Sequence, residues 1–286
     1  MNVIVLGNKG MLGRYVESHL KNKNYNVIGY TRTELDAARI TEETLRAFLF
    51  HEDINEGDVI INCMGTIKPQ VDKYGTLNAI KVNSLFPHIL STVCEGIGVK
   101  LIHITTDCVF TGNDGQYTEK SPHDCTDIYG KTKSLGEPEN CTVVRTSIIG
   151  EEAETSRSLI EWVKSQDGKT VNGYVNHQWN GLTCHQAAKV FEQIISENLY
   201  WKGVRHIYSP FSLNKAQLVG AIVKAHDLNI EIVPTDGPSK CNRTLSTIHF
   251  DEETFTPFSL KFDIPDITTQ LFEQFNLPHP SYYSTN

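Results

Sequence analysis

Short, wholly apolar runs alternate with longer stretches in which apolar residues recur every three or four positions, and this rhythm continues through the first half of the chain. The short runs predict strands over residues 3–6, 26–30, 58–62, 100–105 and 142–145. The longer stretches predict helices over residues 11–21, 42–51, 79–96 and 127–136. Val59-Ile60-Ile61 and Leu101-Ile102-His103-Ile104 have no polar alternation, which suits strands covered on both faces of a parallel sheet. Strands alternating with helices imply right-handed crossovers and an α/β, Rossmann-type doubly wound fold.

After Gly150 the rhythm weakens. Helical spacing returns at residues 158–165 and 184–197, separated by a Gly/Asn-rich stretch over 168–181. Residues 204–208 and 230–233 read as further strands, and the tail is rich in Pro, Thr and Phe. The expected division is a cofactor-binding domain over residues 1–149, with returns to its sheet around 181–210, and a smaller, mainly substrate-binding lobe over 150–286.

Composition narrows the class. A formal net charge of −8 over 286 residues argues against a nucleic-acid polymer as partner. No apolar run reaches the ~20 residues that span a bilayer. The first predicted strand begins at once, leaving no room for a signal peptide. The seven cysteines are scattered, form no CxxC pair and have no histidines clustered beside them. That pattern predicts neither a disulfide framework nor a metal site, and points to a reducing cytoplasm.

In open α/β sheets, ligands bind beyond the carboxyl ends of the strands. Gly7, Arg32, Cys63-Met64-Gly65, Thr106 and Thr146-Ser147 all fall there. The first strand runs into Gly7-Asn8-Lys9-Gly10-Met11-Leu12-Gly13. Gly7 permits a tight turn, Gly10 a close approach of pyrophosphate, and Gly13 close packing of the helix. The spacing is G-x-x-G-x-x-G, and a glycine-rich turn without a ligand is the competing reading. At the end of the second strand a carboxylate would suit the ribose of NAD, whereas an arginine suits a 2′-phosphate. Arg32 stands there, so NADPH is the expected cofactor and NADH the secondary one; an exposed loop arginine is the alternative.

Further on, Tyr129 and Lys133 lie four apart, on one face of a predicted helix. A phenol needs its pKa lowered to exchange protons near neutrality, and a neighbouring ammonium does this. The Thr106 hydroxyl can hold a substrate oxygen beside the phenol. With the glycine turn, these residues predict hydride transfer between a nicotinamide and a C–O carbon.

The chain resembles the extended short-chain dehydrogenase/reductases, and more narrowly the dTDP-4-dehydrorhamnose reductase family. The resemblance rests on Gly7–Gly13, residues 32–36, Asn83-Ser84-Leu85-Phe86-Pro87, residues 105–112, 129–133 and 144–147, with thinner matches at 176–183 and 243–246. It implies NADPH-dependent reduction of the 4-keto group of a nucleotide-linked 4-keto-6-deoxyhexose. By carry-over, Tyr129 is the general acid, Lys133 its tuner and ribose ligand, and Thr106 the holder of the keto oxygen. Lys9, Met11, Leu12, Asp36, Cys63, Met64, Gly65 and Asn83 join the cofactor site, with Asp36 near the adenine and Asn83 supporting the active-site geometry. Asp107, Gln178, Asn180 and Arg243 would face the nucleotide sugar. Cys108 replaces the tyrosine usual in rhamnose-type reductases. Related epimerase/reductases carry cysteine there as an acid–base, which would make Cys108 and His177 an epimerising pair; a buried packing cysteine is the simpler reading. A cofactor-binding regulatory subunit, like that of methionine adenosyltransferase, is the third reading, and a homodimer is the expected assembly.

Overall fold

The computed structural model describes residues 1–152 and 158–277; the parts of the expected second lobe at 153–157 and 278–286 lie outside the described residues. The first half runs β1 (Asn2–Leu6), α1 (Met11–Asn22), β2 (Asn26–Tyr30), α2 (Glu42–His51), β3 (Val59–Asn62), α3 (Lys68–Tyr74), α4 (Thr76–Ala79), a π-helical turn at Ile80–Leu85, α5 (Phe86–Gly96), β4 (Lys100–Thr106), α6 (Ile128–Ser134) and β5 (Thr142–Thr146). There follow β6 (Ile148–Ile149), α7 (Leu159–Lys164), β7 (Thr170–Tyr174), β8 (His177–Trp179), β9 (Leu182–Thr183), α8 (Cys184–Ser196), β10 (Gly203–His206), β11 (Leu213–Asn214), α9 (Lys215–Ala225), β12 (Glu231–Thr235), β13 (Cys241–Asn242) and α10 (Ile267–Phe275).

Six strands form one parallel sheet in the order β10-β5-β4-β3-β1-β2. The chain steps outward from β1 to β2, then crosses back to β3 on the other side of β1. The order therefore reverses between β1 and β3, and ligand crevices open at such a point. Alternation along the strand builds both cores. Val3 and Val5 pack with Tyr15 and Val16 of α1 and Phe191 of α8. Ile4 and Leu6 pack on the opposite face with Leu45 of α2 and Leu90 of α5. A smaller apolar cluster joins Ile160 of α7, Val171 of β7, Ile222 of α9 and Leu271 of α10.

Several elements differ from the sequence expectation. The stretch at 168–181 contains β7 and β8, and β7 pairs with β12 in a separate two-stranded sheet. Residues 230–233 thus pair away from the main sheet, whereas β10 adds to its edge beside β5. The single helix expected over 79–96 is two helices joined by the π turn. Helices α3, α9 and α10 were not anticipated. Among the described residues, no helix is long and apolar enough to cross a membrane.

Candidate active site

The glycine turn is built as its spacing requires. Gly7 adopts φ +80°, its N–H donating to Tyr30 O at 2.8 Å, while Gly10 N–H donates to Gly7 O at 2.9 Å. A Cβ on Gly13 would lie 2.2 Å from Gly7 O, so only glycine lets α1 start this close to the turn. No side chain caps the N-terminus of α1. Its first-turn amides and the positive end of its dipole form a site suited to a phosphate. A Cβ on Gly7 would meet Met64 at 3.3 Å, so the β1 and β3 turns touch at the switch point. The Asn62 carboxamide holds the second turn, accepting from Met64 N–H at 3.1 Å and bonding the His103 ring at 3.1 Å.

A groove follows. One cavity of about 550 Å³ is lined by Lys9, Gly10, Met11, Leu12 and the chemical residues Thr106, Asp107, Cys108, Tyr129 and Lys133. A second, of about 590 Å³, takes in Gly7, Thr31, Arg32 and Asp36. Cys63, Met64 and Gly65 line both. A dinucleotide has this shape: a phosphate pair at the glycine turn and a base at either side.

At the chemical end, Thr106 closes β4, and its hydroxyl accepts from Cys108 N–H at 3.2 Å. Burial holds the Tyr129 phenol's pKa above its ordinary value, with the Thr106 hydroxyl opposing. Cys108, beside it, raises it further. Lys133 is 5 % exposed and donates to Ile104 O at 3.1 Å. Burial pulls its pKa down to about 8, against the attraction of Glu137 and Cys63. The Lys133 ammonium is turned to the Ile104 carbonyl in this geometry. Burial and Asp107 push the Cys108 thiol up to about 12, with Arg243 opposing. Burial likewise raises Asp107, again against Arg243.

The remaining expected residues divide. Asp36 meets Arg32 at 3.7 Å and Arg39 at 3.6 Å beside the second cavity. Arg243 reaches the chemical end from the tail, donating from Nε to Phe110 O at 2.9 Å. Asn83 lines neither cavity. Its amide donates to Thr66 O at 2.9 Å and Thr132 Oγ1 at 3.1 Å, and accepts from Thr66 N–H at 2.8 Å. It ties the segment after β3 to α6, the helix that carries Tyr129 and Lys133. Asn180 differs from expectation in the same way: it is buried, its amide paired twice with the Leu245 backbone at 2.9 Å. Gln178 donates to Val175 O at 3.2 Å. His177 bonds Ser239 O at 2.8 Å, packs on Tyr174 and lines neither cavity, so the pair Cys108 and His177 is not brought together.

The sequence reading missed Arg14, Ile67, Gln70 and Glu152 in the first cavity and Tyr74 and Asn78 in the second. Most belong to α3 or its flanks. Lys68-Pro69, two residues after a buried Thr66, was the available signal, since proline favours the first turn of a helix.

A parallel sheet with a glycine turn at its switch point and Thr106, Tyr129 and Lys133 one strand over defines the dinucleotide-binding, Rossmann-type dehydrogenase fold. Within that class the chain belongs to the RmlD substrate binding domain family, whose pattern matches residues 1–242. It is 32% identical to the dTDP-4-keto-6-deoxy-D-glucose reductase of Streptomyces niveus over 50% of this chain and 51% of that protein. It is 30% identical to methionine adenosyltransferase 2 subunit beta of Danio rerio over 58% of this chain and 54% of that one. The matches thus span about half the length of these relatives. Among solved structures, dTDP-4-dehydrorhamnose reductase from Bacillus anthracis in complex with NADP superposes with TM-score 0.76 at 18% identity, over 96% of this chain and 99% of that one.

Proposed function

We propose that this chain is an NADPH-dependent reductase of the 4-keto group of a nucleotide-linked 4-keto-6-deoxyhexose. The observation that carries the reading is the convergence of Thr106, Tyr129 and Lys133 with the glycine turn on one cavity of about 550 Å³. The names of the Streptomyces relative and of the Bacillus structure support the substrate class and the cofactor. NADH is the weaker alternative cofactor. Residues 1–149 hold the cofactor and residues 150–286 close on the sugar nucleotide. The expected setting is the cytoplasm and the expected assembly a homodimer, which light scattering reads directly.

A bound nicotinamide supplies the hydride. The chain supplies the rest. The uncapped start of α1 holds the phosphates, and Arg32 and Asp36 border the adenosine end. Thr106 and Tyr129 share the carbonyl oxygen. Tyr129 remains a protonated phenol across the neutral range, because burial raises its pKa, and so it is equipped to donate as that oxygen gains charge. Lys133 holds the ribose edge, and burial, which brings its pKa near 8, makes it give up its proton more readily than an exposed lysine.

NADPH absorbance, followed against a set of 4-keto-6-deoxy nucleotide sugars with products characterised by NMR, tests this reading. Turnover of at least one supports it. The similarity to methionine adenosyltransferase 2 subunit beta favours a second reading, a cofactor-binding subunit without chemistry. Tight NADPH binding with no turnover of any ketone in the set selects it.

A further inference from the structure

The far end of the groove holds a side-chain arrangement that the cofactor reading does not by itself require. Arg32 follows β2 and presents a guanidinium with three surfaces. Its Nε edge faces Asp36 Oδ1 at 3.7 Å. Its guanidinium carbon lies over the ring of Tyr74, 5.3 Å from the ring centroid. Its Nη1 and Nη2 atoms donate to none of the described residues. Lys73 adds a second cation 5.1 Å from the same ring. Tyr74 comes from the last turn of α3, a helix with no buried residue, and lines the second cavity together with Arg32 and Asp36.

An exposed arginine samples many rotamers, and fixing it costs conformational entropy when a ligand binds. Here the Nε edge faces Asp36 and the guanidinium carbon sits over the Tyr74 ring. What remains is the two-pronged Nη end, the part whose geometry matches a phosphate. Asp36 and Tyr74 together therefore aim the guanidinium rather than neutralise it. We propose that Tyr74 is a specificity-determining positioning residue: it presets Arg32 to receive a terminal phosphate monoester on the ribose of an adenine nucleotide, and so sets the preference for NADPH over NADH. The inference rests on the cofactor reading above and goes further, in assigning the discrimination to a residue on α3 as well as to Arg32.

The test is the ratio of affinities for NADPH and NADH, measured by cofactor fluorescence on the full chain, with 2′,5′-ADP and 5′-ADP as a second pair of probes. Tyr74→Phe keeps the ring and is expected to keep the ratio. Tyr74→Ala is expected to weaken NADPH and 2′,5′-ADP about threefold to fivefold, the scale of an exposed cation–π contact, with NADH and 5′-ADP within twofold of the parent. Tyr74 is 45% exposed, so its truncation leaves the core intact, and an unchanged thermal midpoint confirms that. If Tyr74→Ala weakens both cofactors equally, the ring is a wall for adenine and the assignment is overturned. If the parent prefers NADPH and Tyr74→Ala leaves the ratio unchanged, this inference fails while the cofactor reading stands. If the parent binds NADPH and NADH equally, the NADPH reading fails first and takes this one with it.

Discussion

At the chemical end of the groove Lys133 is 5% exposed and the hydroxyl of Thr106, the Ile104 carbonyl and the Asn83 amide are already bonded within the fold. At the other end the Arg32 side chain is 60% exposed and is placed by one ion-pair edge and one aromatic face. Burial therefore sets proton affinities at the first end, whereas charge and shape set ligand preference at the second. A substitution at the buried end should change rate or stability by large factors. One at the open end should change affinities modestly and selectively.

The largest expected effect is Tyr129→Phe. It removes the only proton the phenol offers, and keto reduction should fall about 10²–10⁴-fold with NADPH affinity kept, as read by single-turnover absorbance. Reduction at the parental rate would dissolve the distinction between the two ends.

Lys133→Met comes next and separates function from stability. The folded pKa near 8 lies below the ordinary lysine value near 10.4, so the charged side chain is disfavoured by the fold. The penalty is fully present below pH 8 and fades as pH rises towards 10.4, because the unfolded chain binds the extra proton in that interval. The gap amounts to about 3 kcal/mol. Lys133→Met should lose activity yet raise the thermal midpoint at pH 7, with the gain shrinking towards pH 10. A variant that melts lower than the parent at pH 7 contradicts this.

Asn83→Ala should destabilise the chain by about 2 kcal/mol, since it leaves the buried Thr66 backbone N–H and C=O without their amide partner. Denaturant midpoints measure it. At the open end, Arg32→Ala should cost roughly tenfold in NADPH affinity and little in NADH affinity, the scale of a charge-assisted hydrogen bond. The smallest effect concerns Cys108. With its thiol held near 12, it is protonated at neutral pH and poorly suited as a base. Incubation of a ketone substrate in D₂O without cofactor should give no deuterium at the neighbouring carbons; exchange there would restore the epimerising reading.

The same contrast governs what the sequence disclosed. The five strands of the first half and the glycine turn were legible because apolar runs and φ-demanding glycines are local signals. Tyr129 and Lys133 were legible because helical spacing puts them on one face. As ligand contacts Asn83 and Asn180 were misplaced, because an amide that faces a ligand and one that faces a backbone look identical in one dimension. Only the surrounding carbonyls, Thr66 in one case and Leu245 in the other, decide between them. Helix α3 escaped notice because it buries nothing, so it leaves no apolar period to read. The short pairing of β7 with β12 joins segments about sixty positions apart, a partnership set by tertiary packing and not by propensity.

The position of α8 and β10 in the main sheet and its core has a consequence for how the chain reaches its fold. Phe191 and Ile194 cover the same sheet face as α1, and β10 completes the edge beside β5. A ribosome therefore releases more than 140 residues of sheet and crossover before the segment that seals them emerges. Until residue 206 is out, Val144 and Ile102 lack part of their cover and β5 presents an open edge. That interval is when the nascent chain is most exposed to chaperones and to misassociation, and a fragment ending near residue 149 would remain in it permanently.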